Sequence, residues 1–225
     1  MEKEFSRAVI FITQIFGAGI INRCGERSRT FYRSFHLVFT MQELARKLIH
    51  VIFGLGIAGI VLVVDHTTAI AVLAGGLFFG MILIDLILSG STIPVFSAIV
   101  NYVDRRDSLP GKGALYFAVS ALTCVILFPV AVAVPALVSL AVLDGVATIA
   151  GIRYGRTRIY NGKSLEGTVT GIFVTFLVLL LFISIQGALI VAVIAGIIEM
   201  FSPVDDNLVI PIGICFLLTV FPALI

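Results

Sequence analysis

Charged side chains are scarce in this sequence of 225 residues. Asp, Glu, Lys and Arg make up 12% of it, whereas soluble domains usually contain roughly 25%. Hydrophobic residues make up 60% and the mean hydropathy is +1.16. Too few polar side chains remain to cover a surface that faces water. The composition excludes a separate soluble catalytic domain and predicts an integral membrane protein.

Cysteine is also scarce. Cys24, Cys124 and Cys215 are odd in number, and none belongs to a Cys-x-x-Cys pair or to a Cys/His spacing of the kind that binds metal. This excludes a disulfide framework and a zinc site. The sequence has no internal repeat, so residues 1–225 predict one integral membrane domain. Within it, residues 1–40 form a basic amphipathic segment, and residues 41–225 form a helix bundle that would carry any catalytic site.

Long apolar runs, in contrast, are abundant. Seven of them approach the roughly 20 residues that a helix needs to cross a bilayer, and charged clusters or Gly, Pro and Asn separate them. Pro129 and Pro135 mark where the chain folds back within 114–150. Residues 8–21 predict a further interfacial or spanning helix, and residues 91–103 predict an interfacial or re-entrant segment. The predicted fold is an all-α polytopic membrane bundle with about seven spans, at 44–64, 67–88, 114–131, 132–150, 167–185, 187–200 and 208–225.

Basic residues fall in alternate links between these runs. The links near Asp65, Pro129 and Gln186 contain no Lys or Arg. Basic links face the cytoplasm in most membrane proteins, and this rule predicts a multi-pass protein whose charged end is cytoplasmic. The basic residues of the cytoplasmic links are Arg23, Arg27, Arg29, Arg33, Arg46, Lys47, Arg105, Arg106, Lys112, Arg153, Arg156, Arg158 and Lys163.

The carboxylates follow the same pattern when the crossings are counted. Nearly all of them fall at the end of the bundle that carries the cations. A carboxylate inside or at the edge of a membrane is costly and is therefore a candidate functional residue. Carboxylates clustered with cations predict a site that binds a metal ion and a polyphosphate together. The carboxylates concerned are Glu43, Asp85, Asp144, Glu166, Glu199, Asp205 and Asp206.

The segment from Asp144 to Gly167 combines features that suit phosphates. Gly151 and Gly155 are four residues apart, cations such as Lys163 follow, and a carboxylate opens the next run. Glycine allows close approach of backbone, and carboxylates recruit a divalent cation. In a second interpretation, the glycines pack helices and the cations anchor the chain at the membrane surface. The sequence leaves both interpretations open.

Three motifs, taken together, resemble the CTP-dependent lipid-alcohol kinases, a family that includes dolichol kinase, phytol kinase and the CTP-using diacylglycerol kinase. They occur in the family's order along the chain. A weaker fourth match begins at Lys112. The motifs are Arg46-Lys47-x-x-His50, Asp144-x-x-Ala147-x-x-x-Gly151-x-x-x-Gly155 with Lys163-Ser164-Leu165-Glu166-Gly167, and Glu199 with Asp206-Asn207-x-x-Ile210-Pro211.

The resemblance implies that the γ-phosphate of CTP is transferred to a lipid hydroxyl, with Mg²⁺ or another divalent cation. Its implied partners are CTP, a lipid alcohol such as dolichol and membrane lipids, with no nucleic acid and with a homo-oligomer left open. The expected catalytic residues are Asp144, Glu166, Asp206 and His50, and the expected metal ligands are Asp144, Asp206 and Glu199. The expected nucleotide-binding residues are Arg46, Lys47, Gly151, Arg153, Gly155, Lys163, Ser164, Gly167 and Asn207. The candidates on the substrate side are Asp85 and Lys112.

Two other functions stay open. A CTP:lipid-phosphate cytidylyltransferase has a similar signature, but those enzymes typically have Ser-Pro-Lys-Lys before Glu-Gly, and this chain has the single Lys163 there. An ion-coupled secondary transporter could use Asp85, Asp144 and Glu199 as a relay. Transporter sites usually lie near the middle of the bilayer, whereas these carboxylates are predicted near one edge.

Overall fold

The computed structural model describes residues 41–89, 111–160 and 162–225. Within these ranges the chain is all-α, as predicted, and its only β contact is an isolated bridge between Arg158 and Ser164. The predicted segments 1–40 and 91–103 lie outside the described residues. The helices are α1 (Met41–Val63), α2 (His66–Leu88), α3 (Lys112–Leu127), α4 (Val130–Tyr154), α5 (Leu165–Leu179), α6 (Ile185–Phe201) and α7 (Asp206–Val220), followed by a 3₁₀ turn at Pro222–Leu224.

Small polar residues set the beginnings of four helices. Asp65, Ser164, Ser184 and Asp205 precede α2, α5, α6 and α7, and each accepts a hydrogen bond from a backbone N–H of the first turn. Such caps satisfy donors that the helix itself leaves unpaired. Pro129 precedes α4, so the chain folds back there.

Three helices, α1, α2 and α4, are long and apolar enough to cross a membrane. This is the composition and helix length of a membrane-associated protein. The other four are apolar but shorter, with 15 to 17 residues each. One reason is that the predicted run 167–185 ends early: α5 stops at Leu179, and Ser184 caps the next helix. A cap of this kind has no charge, so hydropathy does not reveal it.

Helix α4 forms the centre of the bundle. It contacts α3, α5, α6 and α7, and 83% of its most apolar 18-residue window is buried. Glycines permit the closest approaches: a Cβ on Gly171 of α5 would lie 2.9 Å from the Ala147 Cβ of α4. On the opposite side, a Cβ on Gly145 would clash with Val51 of α1. Asp144, which lies between Leu143 and Gly145 on α4, is therefore enclosed by neighbouring helices.

Short described links join α1 to α2 and connect α3 to α7 in sequence, so the helices within each of these groups run antiparallel and their ends alternate. The C-terminal ends of α4 and α6 lie beside the N-terminal ends of α5 and α7. The N-terminal end of α3 joins them, because a Cβ on Gly113 would lie 3.3 Å from the Asn207 Nδ2 atom of α7. Most of the charged side chains of the described helices come together at this end.

Candidate functional site

Three carboxylates from three helices meet at the charged end of the bundle. Asp144 lies in the C-terminal half of α4, Glu199 in the last turn of α6, and Asp206 is the first residue of α7. One oxygen atom of each lies within 4.8 Å of the other two. Asp144 and Glu199 are 3% and 4% exposed. Buried like charges repel and lose hydration, so this carboxylate triad requires cations.

Lys163 supplies one of those cations. Its Nζ atom lies 2.7 Å from Glu199 Oε1 and 2.8 Å from Asp206 Oδ2, and it also donates to the backbone carbonyl of Glu199. Burial favours the neutral amine and alone would lower the pKa of Lys163, but Asp206 and Glu199 outweigh it and raise the pKa above its ordinary value. Lys163 therefore keeps its positive charge between two members of the triad.

Lys47 of α1 supplies the other cation. Its Nζ atom donates to both oxygens of Asp144, each at 2.5 Å. His50 lies one turn further along α1, with its Nε2 atom 3.8 Å from Asp144 Oδ2, beyond hydrogen-bond range. The ring of His50 packs edge-on against Phe117. Helix α1 thus contributes both a cation and an imidazole to the buried carboxylate.

The donor set fits a divalent cation. Hard cations such as Mg²⁺ prefer carboxylate oxygens, and the carboxylate triad offers three that are close enough to share one ion. Three carboxylates and two ammonium groups leave one net negative charge. Two buried polar atoms beside the triad, His50 Nε2 and Asn207 Oδ1, have no hydrogen-bond partner. Unsatisfied buried acceptors and donors of this kind are expected at a site that binds a ligand.

The N-terminal end of α7 orients Asp206 and Asn207. Asp205 accepts hydrogen bonds from the backbone N–H and from the Nδ2 group of Asn207. Ser120 of α3 donates to the backbone carbonyl of Asn207. The positive end of the α7 helix dipole favours a carboxylate at position 206. The same field favours phosphate.

Thr168 is a residue that the sequence did not single out. It is buried in α5, and its hydroxyl donates to Glu199 Oε2 over 3.2 Å. The signal that could have found it is a threonine one turn after the capping Ser164, inside an otherwise apolar helix. Thr168 holds the carboxylate of Glu199 in the orientation that also meets Lys163.

A cavity of about 240 Å³ opens beside the triad. The link between α6 and α7 forms much of its wall, from Ser202 to Asp205, and Lys163, Glu199 and Asp206 complete the lining. The lining gives a polar ligand access to three carboxylates, two of them from the triad, and to one ammonium group. It does not include Asp144, which lies deeper.

The predicted glycines lie around Ser164. A Cβ on Gly151, Gly155 or Gly167 would come within 2.7 to 2.8 Å of Ser164 Oγ, and one on Gly167 would also clash with the Ala147 carbonyl. Ser164 itself is buried and caps α5. In the structure these glycines allow α4, the capping serine and α5 to pack closely. Their contact with a nucleotide stays a prediction.

Glu166 lies on the loop side of the site and is not a member of the carboxylate triad. It is half-buried, and its carboxylate accepts hydrogen bonds from the backbone N–H groups of Arg156 and Thr157 at 3.1 to 3.2 Å. The reason is the packing of Gly167 on Ala147, which places the first turn of α5 beyond the level of Asp144 along α4. In the structure Glu166 shapes the α4–α5 link.

Two predicted phosphate-binding arginines have other contacts. Arg46 pairs with Glu43 in the same turn of α1, at 2.5 Å, while its Nε atom is buried without a hydrogen-bond partner. Arg153 is exposed at the end of α4 and lies over the ring of Tyr154. Neither side chain contacts the triad in the part of the chain that the structure describes.

The two candidates on the substrate side also lie outside the triad. Lys112 lies over the ring of Tyr116, 5.3 Å from its centroid. Asp85 is exposed near the end of α2, and within the described ranges its carboxylate has no hydrogen bond or ion pair. Their role towards a substrate stays a prediction.

Comparison with known proteins finds a relative that aligns with most of the chain. The chain is 35% identical over 183 residues to the uncharacterized protein MJ1137 of Methanocaldococcus jannaschii. The alignment covers 79% of this chain and 93% of that protein. The chain belongs to the family of MJ1137. No protein-family model matches it, and no solved structure matches it. The match to MJ1137 establishes a family and does not indicate an activity.

Proposed function

We propose that this protein is a CTP-dependent kinase that transfers the γ-phosphate of CTP to the hydroxyl of a membrane polyprenol such as dolichol, giving polyprenyl phosphate and CDP. One observation carries the proposal. The carboxylates of Asp144, Glu199 and Asp206 converge with Lys47 and Lys163, which come from positions far apart in the sequence. Phosphoryl transfer requires mainly positioning and neutralisation of charge, and this group of side chains can do both.

The proposal includes a membrane topology. The chain would cross the bilayer seven times from α1 to α7, with the carboxylate triad at the cytoplasmic boundary. The α4–α5 link contains Arg156, Arg158 and Lys163, whereas the links 64–65, 128–129 and 180–184 contain no Lys or Arg, which supports this orientation by the positive-inside rule. A bilayer can become thinner around the shorter apolar helices. CTP would then arrive from water and the lipid alcohol from the bilayer.

The roles of the side chains follow from their contacts. Asp144, Glu199 and Asp206 would hold Mg²⁺, which when bound neutralises phosphate charge. Lys163 lines the cavity and would donate to phosphate oxygens that enter it. Lys47 would keep Asp144 ionised and oriented.

The acceptor oxygen forms a bond to the γ-phosphorus as the bond from that phosphorus to the bridging oxygen of CDP breaks. The hydroxyl proton needs a base in a place sheltered from water. His50 Nε2 is buried, has no hydrogen-bond partner and lies 3.8 Å from Asp144. We assign His50 as the proton acceptor, with Asp144 stabilising the imidazolium that results.

The test is transfer of label by the full chain, purified in lipid–detergent micelles. It is incubated with Mg²⁺, γ-labelled CTP or ATP, and dolichol, geranylgeraniol, phytol or diacylglycerol. We expect label in the lipid phosphate with CTP as donor, dolichol as the best acceptor, and CDP as the coproduct. Arg158→Met serves as a control, because Arg158 contacts the Gly162 carbonyl and no carboxylate of the triad.

Other products would contradict the proposal in distinguishable ways. Release of pyrophosphate with a CDP-lipid from a phosphatidate substrate would indicate a cytidylyltransferase. Ion-driven uptake into empty proteoliposomes without nucleotide would indicate a transporter. Absence of any product that depends on nucleotide would reject both enzymatic assignments.

A further inference from the structure

Lys163 occupies the oxygens that a metal ion would need. An ammonium group has three N–H donors, and those of Lys163 meet Glu199 Oε1, the Glu199 carbonyl and Asp206 Oδ2 at 2.5 to 2.8 Å. All of its donors are therefore used within the site. Lys163 already contacts one carboxylate oxygen of each of two proposed metal ligands, Glu199 and Asp206.

A divalent cation held by these oxygens would compete with the Lys163 ammonium group. Nζ lies 2.7 Å from Glu199 Oε1 and 2.8 Å from Asp206 Oδ2, and Mg²⁺ binds oxygen at about 2.0 to 2.1 Å, so a divalent cation held by the same two atoms would lie close to the ammonium group. Two positive charges at such a distance in a partly buried site repel strongly. Binding of either cation to this pair of oxygens therefore disfavours binding of the other.

Lys163 is the side chain that can leave. It lies on the link between α4 and α5, outside any helix, its side chain is 27% exposed, and it lines the cavity beside the triad. Lys47, in contrast, is fixed within α1, its side chain is 14% exposed, and it binds Asp144. The flexible four-carbon stem of a lysine permits a new position without movement of the backbone.

We propose that Lys163 is a displaceable resident cation, which holds Glu199 and Asp206 together in the free protein and moves into the adjoining cavity to meet a phosphate when a divalent cation binds. The inference rests on the proposed function, because a nucleotide supplies the phosphate. Its consequence is coupling: a divalent cation alone must displace Lys163 without compensation, whereas with a triphosphate present the lysine gains a new partner. Couplings of this kind commonly amount to about 5- to 150-fold in affinity.

The first test measures the reactivity of the lysines in the unmodified protein. The full chain in micelles is acetylated briefly with an amine-reactive ester, and each lysine is quantified by mass spectrometry. We expect Mg²⁺ alone to increase acetylation of Lys163 at least about fivefold, at the lower end of typical coupling factors, and CTP with Mg²⁺ to reduce it again. Lys112, which lies over Tyr116, is the internal reference and is expected to stay constant.

The second test measures binding of Mn²⁺ without nucleotide, by electron paramagnetic resonance. Lys163→Met removes the competing cation, so we expect Mn²⁺ to bind about tenfold more tightly, within the same range of coupling. Lys163→Arg keeps a cation and is expected to bind Mn²⁺ as weakly as the unmodified protein. Arg158→Met is the matched control from the same link, and adding Asp206→Asn to Lys163→Met is expected to abolish the gain.

The outcomes separate this inference from the proposed function. If Mn²⁺ binds the unmodified protein and Lys163→Met with equal affinity, and Mg²⁺ does not change the acetylation of Lys163, the proposed displacement of Lys163 is wrong. Transfer of label to lipid would still support the proposed kinase activity in that case. If neither protein binds Mn²⁺ and no label reaches lipid, both the displacement of Lys163 and the proposed kinase function are rejected. If Lys163→Met does not fold, the acetylation experiment decides alone.

Discussion

Helices α2 and α4 have nearly the same hydropathy and opposite surroundings. Their most apolar windows have mean hydropathies of 2.4 and 2.2, yet 6% of the first and 83% of the second is buried. Phe78 and Phe79 of α2 are exposed, whereas Leu137 and Leu140 of α4 are fully buried. Hydropathy therefore does not determine which helix becomes the centre of this bundle. Lipid tails are as apolar as leucine, so burial in a membrane depends on other contacts.

Helix α4 differs from α2 in carrying a buried charged side chain that has neighbours on several other helices. Asp144 on α4 is tied to Lys47 of α1 and lies beside Glu199 and Asp206. Asp85 on α2 is exposed near the helix end. Small residues alone do not explain the contrast, since a Cβ on Gly76 of α2 would meet nothing within 4 Å. An ionised group in an apolar bundle requires partners around it, and the helix that carries it is surrounded.

The largest expected effect comes from exchanging these two carboxylates for amides. Asp144→Asn removes the charge that Lys47 neutralises and that the proposed metal ion requires, so we expect lipid phosphorylation to fall by about 10²- to 10³-fold, the range seen when groups that stabilise charge are lost. Asp85→Asn is expected to change the rate far less. The measurement is transfer of label to dolichol, with the amount of folded protein checked by size-exclusion chromatography. Equal losses in both variants would place the two carboxylates in one site and contradict the contrast.

Part of this arrangement could be predicted from the sequence. Apolar run lengths predicted the all-α class, and counting crossings placed the carboxylates of Asp144, Glu199 and Asp206 at one end. The sequence could not give the role of Gly151 or Gly167, because spacing shows which residues share a helix face and not which neighbour covers that face. The contacts that explain these glycines, with Ser164 and with the Ala147 carbonyl, are seen only in the packing of α5 against α4.

The lengths of the shorter helices also could not be predicted from the sequence. The predicted run 167–185 continues past the end of α5 at Leu179 because the chain turns at apolar residues before the Ser184 cap. Glu166 was expected among the catalytic residues; it lies outside the carboxylate triad, and its catalytic role stays a prediction. Its position in a motif did not show that the first turn of α5 packs beyond the level of Asp144.

An intermediate effect is expected from adding one methyl group to a buried and to an open glycine. In Gly171→Ala the new Cβ would lie 2.9 Å from Ala147 Cβ and 3.1 Å from the Leu143 carbonyl of α4, and overpacking of this kind costs about 1 to 3 kcal/mol. We expect a lower midpoint of thermal unfolding in micelles. Gly76→Ala on α2 has open space, and the change to alanine can stabilise a helix by up to about 1 kcal/mol. If Gly76→Ala were destabilising, α2 would have a partner such as a second copy of the chain.

The smallest expected effect concerns how the less buried helix is held at its end. Asp65 caps α2 by accepting hydrogen bonds from the backbone N–H and the hydroxyl of Thr68, whereas Pro129 gives α4 no side-chain cap. The backbone hydrogen bond from Thr68, followed by its side-chain hydrogen bond, holds the pKa of Asp65 below its ordinary value.

The sign of the resulting pH dependence follows from that shift. A lowered pKa means that the cap is fully present above the ordinary value for aspartate and is lost as the pH falls through the lowered value in the folded protein. We expect amide hydrogen exchange in the first turn of α2, corrected for the intrinsic rate, to become faster on acidification across this window. Exchange at the start of α4 is expected to show no such step, and Asp65→Ala is expected to remove the step from α2. A step that persists in Asp65→Ala would show that another group controls this end of α2.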